Sequence, residues 1–236
     1  MPQQSVMRQP APTCRPGWFG KLPSVGDFAG RRVPHVFNTE WDHWFRSGME
    51  LLRGQGDGLW VEDFARSPAW CFICPAGVTG WPVCGLLVPS RDRVGRAYPL
   101  TVLALAPTPA APALLDPVLP RFFEGALAAV EAARQQGLGV EELDRLVSVL
   151  PSPFAGSRGP LAWLSGLMGG RSSPAPSPGD RLHAWRQILT RGSDRSLWWT
   201  CAPSQADGPM RPGRELTHQG PLNQILFLRL FQGQGD

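Results

Sequence analysis

The chain has 236 residues, 42% of them hydrophobic and only 18% charged, with ten tryptophans and eleven phenylalanines. That apolar mass suffices for one substantial core, since each buried aromatic removes on the order of 150–250 Å² from water. The formal charge of +4 is carried almost entirely by arginine, Lys21 being the sole lysine. No basic run is dense enough for a nucleic-acid arm, and no stretch approaches the ~20 apolar residues of a membrane helix.

Residues 1–16 read as a disordered tail without an apolar run of signal-peptide length. Residues 17–236 read as a single α/β domain. Its motif-bearing part is 17–106, and its helical and late-strand part is 117–236. Gly17 to Lys21 reads as a short buried strand, followed by a Pro- and Gly-rich turn, Leu22 to Gly30. Val36 to Arg53 carries Phe37, Trp41, Trp44, Phe45 and Leu52 at mostly three- and four-residue steps, which predicts an amphipathic helix. Asn38 or Thr39 is its expected cap.

A short helix is expected over Leu59–Arg66. Three apolar strands follow, Ala69–Cys74, Val83–Val88 and Tyr98–Leu105. They are nearly continuously apolar, so both faces of their sheet should be covered. Pro107–Pro120 reads as a linker or edge crossing. Helices are expected over Phe122–Gln136, stopped by Gly137 and Gly139, and over Val140–Leu150. Residues 151–160 and 169–179 are loops rich in Pro, Gly and Ser, flanking a helical Leu161–Met168. Arg181–Thr190 is a further helix, Arg195–Cys201 a strand and Pro221–Phe231 a terminal helix. The order of elements indicates a layered α/β fold with a mixed, largely antiparallel central sheet. Regular βαβ alternation with a glycine-rich phosphate turn is absent, which argues against a dinucleotide-binding fold.

Motifs for catalysis are sparse. Cys71-Phe72-Ile73-Cys74 has the spacing of half a zinc or redox site, but it lies inside an apolar strand. Its two thiols, an odd number of positions apart, face opposite sides of a sheet. The five cysteines, Cys14, Cys71, Cys74, Cys84 and Cys201, read as reduced thiols. His35, His43, His183 and His218 stand in no metal-binding spacing. A cysteine-dependent hydrolase using Cys84 or Cys201 with one of these histidines is the enzymatic alternative. No catalytic, cofactor-binding or metal residue is assigned.

Two polar loops stand out. Pro89 to Leu100 carries Arg91, Asp92, Arg93 and Arg96 between two apolar strands, and Lys21, Ser24, Asp27, Arg31 and Arg32 follow the first strand. Arginine binds carboxylate or phosphate through two parallel hydrogen bonds. Each loop is either an internal Arg–Asp lock or an exposed partner-binding surface. Trp41 and Trp44 are core residues or interface anchors, with helical spacing favouring the core.

Four ordered blocks carry a family likeness. They are Gly17-Trp18-Phe19-Gly20-Lys21-Leu22-Pro23-Ser24-Val25-Gly26-Asp27-Phe28; Arg31-Arg32 with Trp41-Asp42-x-Trp44; Ser67-Pro68-x-Trp70-x-Phe72 with Pro75-Ala76-Gly77; and Val88 to Leu100. Ser196-Leu197-Trp198-Trp199-Thr200 continues them. The sequence resembles the TagF family of type VI secretion proteins. The resemblance implies a three-layer α/β/α sandwich and a cytoplasmic, non-enzymatic accessory role. It implies post-translational repression of secretion through binding of a forkhead-associated-domain scaffold protein, with a functional link to a serine/threonine phosphatase. A structural accessory role in the secretion apparatus is the alternative. Neither nucleic acid nor membrane insertion is expected. The nine polar residues of the two loops are the candidate protein contacts.

Overall fold

The computed structural model describes residues 15–55, 60–108, 118–154, 193–201 and 212–232. Its strands are β1 (Gly17–Lys21), β2 (Phe28–Arg31), β3 (Ala69–Cys74), β4 (Val83–Val88), β5 (Leu100–Leu105), β6 (Arg195–Cys201) and β7 (Pro212–Gln219). Its helices are α1 (His35–Gln55), α2 (Trp60–Arg66), α3 (Ala76–Thr79), α4 (Leu119–Gln136), α5 (Val140–Ser148) and α6 (Gln224–Phe231). The strands form one seven-stranded sheet in the order β2-β1-β5-β4-β3-β6-β7. Every pairing along it is antiparallel.

The sheet is covered on both faces, as its apolar strands require. Trp18, Cys71, Ile73, Cys84, Leu86, Val102 and Trp199 share one face with the buried stripes of α4 and α5. Phe19, Trp70, Phe72, Leu87, Leu103 and Trp198 share the other with α1, α2 and α6. This is the three-layer sandwich. The second layer is dense in rings. Trp41 meets Phe72 at a centroid distance of 5.1 Å and Trp44 meets Phe227 at 5.8 Å. Such pairs contribute about 0.5–1.5 kcal/mol beyond their buried area. Trp41 and Trp44 are 1% and 3% exposed, so both are core residues. The indole N–H of Trp44 donates to Asn223 O at 2.8 Å, and Asn223 Oδ1 accepts from Leu226 N to cap α6.

Several boundaries differ from the sequence expectation. Helix α1 begins at His35, with Asn38 N already bonded to Pro34 O at 3.0 Å. Asn38 and Thr39 therefore lie inside the helix, and the Thr39 hydroxyl donates back to His35 O instead of capping. The turn expected over Leu22–Gly30 runs into β2, which carries no apolar alternation because it is half exposed at the sheet edge. Strand β5 begins at Leu100 rather than Tyr98, since Pro99 has no N–H for the ladder and Tyr98 N bonds Ser90 O within the loop. The turn Pro75–Pro82 encloses the single helical turn α3. Helix α4 starts three residues early, with a proline in its first turn, and ends as expected at Gly137 in the left-handed conformation. Helix α5 ends at Ser148 and α6 starts at Gln224. Strand β7 was without a sequence signal, because over Gly213–Gln219 Leu216 is the one buried apolar residue. Residues 1–14 of the expected tail 1–16, the loops from 155 onward, and the helices Leu161–Met168 and Arg181–Thr190 lie outside the described residues.

Candidate interaction site

Pairing of β1 with β5 brings the loop after β1 beside the loop between β4 and β5. Gly20 makes the close approach possible. Its φ is +138°, and a Cβ there would sit 2.2 Å from Pro99 O, a position open only to glycine.

Lys21, the last residue of β1, is driven inward by the strand and is 5% exposed. Its Nζ donates to Asp92 Oδ2 at 2.9 Å. Asp92 Oδ2 also accepts from Arg96 Nε at 2.7 Å, and Oδ1 accepts the backbone N–H groups of Val94 at 3.0 Å and Arg96 at 2.9 Å. Burial pushes the Asp92 carboxyl up, but the Lys21 ammonium and the Arg96 donors outweigh it and hold the group well below the usual carboxylate range. The Ser90 hydroxyl donates to Lys21 O at 2.8 Å, and Arg93 N donates to Val25 O at 2.9 Å. Arg91 reaches away from this centre to Val61 O of α2 at 2.9 Å. The two loops are thus one unit with Asp92 at its middle.

The other side chains of the first loop and β2 anchor to the α4–α5 layer. Ser24 Oγ donates to Leu138 O at 2.6 Å, and Arg31 pairs with Glu141 at 2.8 Å. Arg32 takes a φ of 59°, unusual for a residue with a Cβ, and donates from Nε to Pro16 O at 2.7 Å and from a terminal nitrogen to Asp144 at 2.8 Å. Asp144 also accepts from Trp18 Nε1 at 3.0 Å. Asp27 turns back on the chain, its carboxylate accepting Phe28 N at 2.7 Å. The structure therefore draws Lys21, Asp92 and Arg96 together, sends Ser24, Arg31 and Arg32 to the helical layer, and leaves Asp27 and Arg93 on the exposed rim.

Sequence reasoning missed Phe28, which opens β2 and is 46% exposed. Its ring meets Tyr98 edge-on at 4.7 Å, with Lys21 Nζ at 5.0 Å and the Arg46 guanidinium carbon at 5.6 Å. The cations sit where a ring attracts positive charge. Tyr98 donates to Asp42 Oδ1 at 2.6 Å, and the other oxygen of Asp42 accepts from Arg46 Nε at 2.6 Å. Burial first, then the bond to Asp42, pushes the Tyr98 phenol well above its ordinary range. The available signal was an aromatic placed directly after a Gly-Asp turn, away from any apolar period.

The cysteine pair obeys the strand period. Cys71 lies on the α4–α5 face and Cys74 on the opposite one. Cys71, Cys74 and Cys84 are fully buried, and burial pushes all three thiols up. The Cys201 thiol donates to Ala69 O at 3.6 Å. Among the described residues, no group of three or more His, Cys, Asp or Glu gathers in a metal-binding arrangement. Among the same residues, no helix is long and apolar enough to cross a membrane.

Residues 17–150 match the family model described as "TagF N-terminal domain, Type VI secretion system-associated". The chain belongs to the TagF family. The matched span contains both polar loops, β1 to β5 and α1 to α5. The TagF chain is also similar to PA0076 from Pseudomonas aeruginosa PAO1, known from a crystal structure, with 29% identity and a TM-score of 0.66. That likeness covers 94% of this chain and 96% of PA0076. No curated protein matches the chain.

Proposed function

We propose that this TagF protein is a non-enzymatic, cytoplasmic regulator of the type VI secretion system. It represses assembly after translation by occupying a forkhead-associated-domain scaffold protein, in functional partnership with a serine/threonine phosphatase. The observation that carries the reading is the family match over residues 17–150, which spans both polar loops and strands β1 to β5 that support them. A rigid loop pair with an exposed rim suits a protein that works by occupancy, since little side-chain freedom remains to be lost on binding. Repression by occupancy scales with stoichiometry and shows no turnover.

The test is recovery of the protein, at native abundance, from a host carrying the secretion cluster. Recovery of the scaffold without the assembled machine supports repression. Recovery of core machine components in fixed ratio replaces it with a structural accessory role.

A further inference from the structure

Phe28, Arg46 and Tyr98 line two adjacent clefts of about 470 and 420 Å³. One extends over β2 and the start of α1, past Arg31 and His35. The other extends past Lys21 and Arg96 to Arg53 and Trp60. The shared trio is therefore the wall between them, and Phe28 is its exposed aromatic at 46%, beside the exposed Arg46 and the buried Tyr98. The ring has partners before any other protein arrives. Tyr98 packs against it in a T-shaped contact, and of the two cations beside it Lys21 is held by its buried pair with Asp92 at 2.9 Å, while Arg46 pairs with Asp42 at 2.6 Å at the surface.

The charge around this wall is positive. Asp92 is one carboxylate shared between two cations, Lys21 and Arg96. Asp42 divides its oxygens between Arg46 and the Tyr98 hydroxyl. Arg53 stacks over Trp60 at 5.3 Å, at the far end of the second cleft. The ion pair of Arg31 with Glu141 joins side chains that are 43% and 78% exposed, so it exchanges readily for another carboxylate. Among the described residues that line the clefts, Glu50 is the remaining acid, and the exposed Asp27 adjoins Phe28 in the chain.

We infer that Phe28 and the two clefts beside it form a docking groove for an extended, carboxylate-rich segment of a partner protein. An apolar side chain of that segment packs on Phe28. Flanking carboxylates reach Arg31 on one side and Arg53 and Arg96 on the other. This rests on the proposed function only in its choice of partner. The groove itself rests on the exposed aromatic, the two recesses and the charge imbalance. An exposed aromatic flanked by arginines has the composition of an interface hot spot.

The test has two arms on the full-length chain. In the first, purified scaffold protein is titrated with wild type, Phe28→Ala, Arg53→Glu and, from the opposite helical layer, Val149→Ser. The inference expects at least about a tenfold loss of affinity for Phe28→Ala and Arg53→Glu and none for Val149→Ser, with melting temperatures recorded for each. Wild-type affinity in both groove variants overturns the groove and leaves the scaffold reading standing. In the second arm, a benzophenone side chain replaces Phe28 in cells carrying the secretion cluster, with the same group at position 149 as control. An adduct at an acidic segment of a protein other than the scaffold supports the groove and removes the scaffold reading. An adduct at a segment without acidic residues, or none above the control, overturns the groove.

Discussion

Lys21 and Asp92 are 71 residues apart in sequence and 2.9 Å apart in the fold, with side chains 7% and 0% exposed. The pair joins the end of β1 to the loop between β4 and β5. Because Asp92 also accepts from Arg96 Nε and from two backbone N–H groups, its removal leaves several donors unmatched at once. Lys21 also stands over the ring of Phe28, so the pair that stabilises the loops also positions one neighbour of that ring.

Asp92→Asn should lower stability by about 3–5 kcal/mol at pH 7, the cost of leaving a buried ammonium without its counter-charge. Urea unfolding measures it. The double variant Lys21→Met with Asp92→Asn should lose less than Asp92→Asn alone, because it buries no orphan charge. The pH dependence has a definite sign. The folded Asp92 carboxyl lies well below its unfolded value of about 3.9, so its stabilisation is present above that pH and fades as pH falls through the folded value. The stability difference between wild type and Asp92→Asn should therefore shrink from pH 7 to pH 2.5. A constant difference would remove the carboxylate from the account.

The central strands were legible because Ala69–Cys74 and Val83–Val88 are apolar on both faces, and a two-sided buried sheet demands that pattern. The Cys71 and Cys74 separation followed from the same period. Strands β2 and β7 were not legible, because edge strands bury few side chains and carry no alternation. The two loops could be recognised as polar outliers, but their division into lock and rim could not. That division depends on β1 pairing with β5, a long-range contact that places Lys21 on Asp92. Phe28 escaped notice for the same reason, since the cations beside it come from β1 and α1.

Gly48 separates helix propensity from packing. It lies inside α1, where alanine is favoured over glycine by about 1 kcal/mol. A Cβ at this position would sit 2.2 Å from Phe227 Cγ of α6, however. Phe227 is fully buried, so its ring has little room to retreat. Overpacking costs about 1–3 kcal/mol and should win, making Gly48→Ala destabilising in thermal unfolding. A stabilised Gly48→Ala would show that α6 can shift on α1.

The thiols give a prediction on reactivity. In a Cys14→Ser background, the four remaining cysteines are the buried Cys71, Cys74, Cys84 and Cys201. Burial raises the first three above the ordinary thiol range and keeps the thiolate, the reactive form, scarce. The native protein should react with Ellman's reagent far more slowly than the guanidinium-unfolded chain, in which all four should titrate. A fast native thiol would revive the cysteine hydrolase reading.

Arg93→Glu and Arg96→Glu separate the rim from the lock. Arg93 is exposed, and it is its backbone N–H that holds Val25 O. Reversing its side-chain charge should change stability by less than about 0.5 kcal/mol. Arg96 is also largely exposed, at 59%, but its Nε bonds Asp92 and a terminal nitrogen bonds Gly26 O. A glutamate there removes these bonds and sets a second carboxylate near Asp92, for a loss of about 1–2 kcal/mol. Denaturation at moderate ionic strength distinguishes the two. If the loop pair contacts the scaffold, Arg93→Glu weakens capture while its melting temperature stays at the wild-type value. Unchanged capture by a stably folded Arg93→Glu would place the contact away from this part of the rim.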